Sequence, residues 1–107
     1  MLEQFLEQKS RQLVFYVSRF LRGQLPHREL HLFVWDTLEE WAQLNVATKT
    51  PASYREQVFW HVLHQLEFWS ETELKQDPQV KRHLQQAIAC LLGRSVQTED
   101  EFIGIRP

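Results

Sequence analysis

The stretch Ser53–Trp69 constrains this chain more than any other. On a 3.6-residue wheel, Tyr54, Val58, Phe59, Val62, Leu63, Leu66 and Trp69 fill an arc of roughly 180°, already a generous core stripe. Trp60, His64 and Phe68 recur at i, i+4 and i+8 on the opposite side, where a helix facing water carries polar residues. A helix apolar on both faces is buried on both, by its own domain or by a partner. Its start is marked twice: Thr50-Pro51 offers a cap with proline at the first helical position, and Ser53-x-x-Glu56 has the spacing of a capping box.

The remaining segments are helical by the same period. From Leu2 to Arg22, the residues Leu2, Phe5, Leu6, Leu13, Tyr16, Val17 and Phe20 share an arc of about 120°. Gln4, Gln8, Arg11 and Arg19 lie opposite, and Phe15 falls among them without a role in that face. Gly23 stops this helix and Pro26 starts the next, in which Leu30, Val34, Thr37, Trp41 and Leu44 form a regular stripe. Leu32 and Trp35 sit outside it. Residues 45–50 form a polar connection. After the central helix, Ser70-x-x-Glu73 predicts a short capped turn carrying Leu74. Asp77-Pro78 then opens a last helix lined by Val80, Leu84, Ala87, Ile88 and Leu91 and ended by Gly93. Arg94–Pro107 has no helical period: Glu99-Asp100-Glu101 precedes Phe102-Ile103-Gly104-Ile105, a tail that either docks in extended form or stays disordered. The expected fold is all-α, a small antiparallel bundle of about four helices with a short non-helical C-terminal tail. The expected division is a single helical domain over 1–94 and the tail over 95–107.

Composition narrows the function classes. A chain of 107 residues builds one modest core, yet this one carries 4 Trp and 7 Phe, more large aromatics than a four-helix interior requires. The net charge of −2 argues against a dedicated nucleic-acid binder, whose domain is strongly basic. Cys90 is the only cysteine, so no internal disulfide forms and a reducing compartment is expected. Charged residues interrupt the first twenty positions, and no run approaches the ~18 apolar residues of a membrane span. A cytoplasmic protein without membrane contact is the expectation.

Catalytic and ligand motifs are sparse. There is neither a βαβ alternation nor a glycine-rich phosphate loop. His27 and His31 share one helical face, as do His61 and His64, a spacing that metal ligation can use. No Asp or Glu stands three residues before any of the histidines, however, as the Glu-x-x-His pairs of di-iron bundles require. Cys90 reads as a small core residue, and Ser53 and Ser70 as helix caps. Arg19, Arg22, Arg28, Lys81, Arg82 and Arg94 could meet phosphates. The helix–Gly–helix over 13–35 nevertheless puts Leu32 and Trp35 where a helix-turn-helix needs base-reading side chains. The expectation is therefore a non-enzymatic protein-interaction or regulatory module without cofactor or metal. It self-associates as a homodimer, with Leu32, Trp35, Trp60, His64 and Phe68 as partner-binding residues and Trp60 at the centre of the patch. A small helical nucleic-acid-binding regulator is the runner-up, and a His-ligated metal-binding protein stands behind it.

Overall fold

The structure is a computed structural model that describes residues 2–44, 51–93, 102 and 104–107. All regular secondary structure among them is α-helical: α1 (Leu2–Leu21), α2 (His27–Leu44), α3 (Tyr54–Phe68), α4 (Glu71–Gln76) and α5 (Pro78–Leu91). The fold is all-α, of the small helical-bundle class. The chain divides into two compact units, Met1–Ala52 with Pro107 and Ser53–Arg106. The expected connection at 45–50 and the acidic start of the tail, together with Ile103, lie outside the described residues. No helix among the described residues is long and apolar enough to cross a membrane.

The first unit is an antiparallel hairpin of α1 and α2. Gly23 makes the turn at φ 75°, a left-handed conformation that glycine adopts without steric cost. The Gly23 amide donates to the Phe20 carbonyl and the Gln24 amide to that of Arg19, so the last carbonyls of α1 are satisfied as in a Schellman motif. Aromatic pairs then zip the two helices together in opposite directions. Phe20 lies beside His27, Tyr16 stacks on Phe33 at 4.6 Å, and Phe5 meets Trp41 at 5.8 Å. Phe5, Leu13, Val17, Phe20, Leu30, Phe33 and Val34 are buried, as the helical period predicts. Three polar residues join them, Lys9, Ser10 and Thr37. Lys9 pairs with Glu40 and donates to the Gln12 side-chain carbonyl, so its charge is compensated where its stem is buried. The Thr37 hydroxyl donates to the Phe33 carbonyl one turn back.

In the second unit, α3 packs on α5, and α4 joins α5. The Ser53 hydroxyl caps α3 by accepting from the Glu56 amide at 3.1 Å. Proline does not open this helix as expected: Pro51 lies before it, because the Ser53 cap sets the start at Tyr54. Only half of the predicted capping box forms, since the Glu56 carboxylate is engaged elsewhere. At α4 the box is complete, with Ser70 and Glu73 satisfying each other's backbone amides. Leu74 on this turn is fully buried. Asp77 caps α5 by accepting from the Gln79 and Val80 amides, with Pro78 in the first turn.

The described end of the tail lies on α3. Phe102 is fully buried against the rings of His61 and His83. The backbone at Gly104 comes so near that a Cβ there would stand 2.2 Å from the His61 amide nitrogen and 2.6 Å from the Trp60 carbonyl carbon. The Ile105 carbonyl accepts from His64, and the Arg106 guanidinium reaches both oxygens of Glu56. The second face of α3 is thus largely covered from within its own unit.

Candidate protein-binding surface

The five residues expected to bind a partner separate into three environments. Trp60, expected at the centre of an exposed patch, is fully buried. Its indole N–H donates to the Glu56 carboxylate at 3.0 Å, and its ring meets Phe59 edge-on at 4.8 Å. The carboxylate that holds the indole is itself held by Arg106, so the apolar surface read from the helical wheel is consumed inside the fold. Trp60 is core, and its assignment as a contact residue is corrected.

His64 is half-buried. Its Nε2–H donates to the Ile105 carbonyl at 2.9 Å, an arrangement that requires the proton on Nε2, while Nδ1 faces Glu67 at 3.6 Å. Phe68, at the end of α3 and beyond the described tail contacts, is 73% exposed and leans edge-on against Trp69. It is the one member of the Trp60–His64–Phe68 row that faces solvent fully.

Leu32 and Trp35 belong to the first unit and are open. They are 51% and 59% exposed and lie nearly one turn apart on the side of α2 away from Leu30, Val34 and Thr37. His31 stacks on His27 at 5.6 Å and meets the Trp35 ring edge-on at 6.2 Å, which fixes the tryptophan on the helix surface. Phe15, unexplained by the core face of α1, is half exposed. The Arg19 guanidinium lies over its ring at 4.6 Å, a cation–π contact available only because the ring points outward. Phe15 and Leu32 both line a groove of about 710 Å³ between α1 and α2, floored by Tyr16 and Phe33. Glu29, Asp36 and Glu39 edge it and form no ion pair with another described residue.

The histidines show other pairings than those expected from helical spacing. His61 meets His83 across α3 and α5 with their Nε2 atoms 2.7 Å apart, one ring donating to the other. Two ligands of one tetrahedral zinc stand about 3.3 Å apart, so this is the spacing of a hydrogen bond. Among the described residues, no three His, Cys, Asp or Glu side chains gather where a metal ion could be held.

Two ion pairs, each anchored on a buried residue, had no clear sequence signal. Burial alone would raise the Glu56 carboxyl, but the hydrogen bonds from Arg106 and Trp60 and the Arg106 charge outweigh it and hold the group below the usual carboxylate range. Arg106 is correspondingly raised by the hydrogen bond to Glu56. Lys9 is buried, which a lysine does not signal by its type alone. Its nearest clue is its position between Phe5 and Leu13 on the apolar side of α1.

Comparison of the chain with protein-family models, with curated proteins and with solved structures finds no match.

Proposed function

We propose that the protein is a non-enzymatic protein-binding module that self-associates, with the outward face of α2 as its contact surface. The observation supporting this reading is the pair Leu32 and Trp35, two large apolar side chains left more than half exposed on one helix. Tryptophan is enriched among the residues that anchor protein contacts. A patch that meets its own copy is the simplest way to cover it. In the second unit, Phe68 on α3 is also exposed.

Sedimentation velocity over the micromolar range tests the reading. The wild-type chain is expected to shift from monomer towards dimer as concentration rises, in the class of weak, small interfaces. A chain that sediments as a monomer throughout that range contradicts self-association.

A further inference from the structure

We infer that two copies of α2 pair antiparallel across a two-fold axis located between Phe33 and Val34, with Leu32 of each copy packed against Trp35 of the other. The inference rests on the self-associating reading above and adds the geometry of the contact.

The spacing on the outward face leads to it. Arg28, Leu32, Trp35, Glu39 and Ala42 follow one another at alternating steps of four and three, the 3.5-residue seam along which two helices pack. All five are exposed, and the seam runs along the side of α2 turned away from its buried stripe. An isologous contact has to complement itself: if residue i meets residue j, then j meets i. The outward face of α2 meets that condition with both apolar and charged pairs. With the axis between Phe33 and Val34, Leu32 faces Trp35 of the second copy and Arg28 faces its Glu39. Each pairing occurs twice by symmetry.

The apolar pairs lie nearest the axis and the ionic pairs outside them. This is the usual division between a dry centre and a polar rim, with the Arg28 stem covering part of the tryptophan. Moving the axis two residues along α2 puts Leu32 against Glu39 and Arg28 against Gln43, and the complementarity is gone. Within the chain, Arg28 and Glu39 make no ion pair with another described residue, so no internal partner has to be given up. The contact length fits as well: α2 has 18 residues, about 27 Å of helix, enough for one helix-pair interface of small size.

Charge exchange tests the register. In Arg28→Glu, both symmetric ionic pairs become Glu against Glu; in Glu39→Arg, both become Arg against Arg. Each variant alone is expected to raise the dimer dissociation constant roughly tenfold or more, since like charges facing each other across an interface are strongly disfavoured. Mixed in equal amounts, the two variants restore both opposite-charge pairs. They are expected to form a heterodimer within about threefold of wild-type affinity. Sedimentation velocity with one variant fluorescently labelled reads this directly, and circular dichroism verifies that both exposed substitutions leave the helices intact. A mixture as weakly associated as its components overturns the register, even where wild type dimerises and Trp35→Glu does not. A wild type that is monomeric throughout overturns the register and the self-associating reading together.

Discussion

The Glu56 carboxylate, 3% exposed, receives the guanidinium of Arg106, a residue fifty positions further along the chain. The same carboxylate accepts the Trp60 indole N–H. One acidic residue therefore joins the first turn of α3, the buried tryptophan of its second face and the end of the described tail. A buried carboxylate is tolerated only where opposite charge and hydrogen bonds replace water, and here both are supplied. The pair explains why a short segment without a helical period stays on the helix.

Arg106→Ala removes the guanidinium and leaves a buried carboxylate with the indole alone. The expected loss of stability is about 3–5 kcal/mol, the scale found when one partner of a buried pair is deleted. Glu56→Gln combined with Arg106→Ala should cost less than the sum of the single changes, because each deletes the same interaction. Urea denaturation of the four chains measures the coupling. Additive single effects would mean that the pair contributes nothing as a pair.

The same contact sets a pH dependence with a defined sign. The Glu56 carboxyl titrates below its ordinary value of 4.5 in the folded chain, because the Arg106 and Trp60 contacts outweigh its burial. Its contribution is therefore complete above pH 4.5 and is lost as pH falls through the lowered folded value. The melting temperature of wild type should drop more steeply below that pH than the melting temperature of Glu56→Gln. Parallel profiles would show that Glu56 is not a stabilising carboxylate.

Gly104 lies tight against α3. A methyl group there meets backbone atoms of α3, which cannot rotate aside, so Gly104→Ala should lift the segment. The expected cost is about 1–3 kcal/mol, the range for overpacking in a filled site. It should not exceed the loss on deleting residues 102–107, since a lifted tail is equivalent to a missing one. An unchanged thermal melt for Gly104→Ala would show that the close approach is not held in solution.

Helix starts and stops were the most legible features of the sequence. Ser53, Ser70, Asp77-Pro78 and Gly23 act through neighbours within a few residues, and each appears where its local chemistry places it. Contacts between distant segments were not legible in the same way. The wheel of α3 shows correctly that Trp60, His64 and Phe68 share a side. It contains nothing about Gly104, Ile105 and Arg106, which cover the first two and leave the third open. Glu56 illustrates the competition: its spacing from Ser53 suits a capping box, but a guanidinium and an indole are stronger claims on a carboxylate than one backbone amide. Leu32 and Trp35 were recognised because their exposure follows from the stripe of their own helix alone.

Trp60 separates core from contact surface. Trp60→Glu inserts a charge at a position with no exposed area and should unfold the second unit, not merely release a partner. Trp60→Ala should cost about 3–5 kcal/mol. Circular dichroism and thermal melts read both. A folded Trp60→Glu chain would return this residue to the surface.

The outward face of α2 is tested most directly by sedimentation equilibrium of wild type beside Trp35→Glu. Trp35 is 59% exposed, so its replacement leaves the core of the first unit untouched and should change neither helix content nor melting of the monomer. A concentration-dependent dimer is expected for wild type and a monomer for Trp35→Glu at the same concentrations. A Trp35→Glu chain that dimerises as wild type does would contradict that expectation.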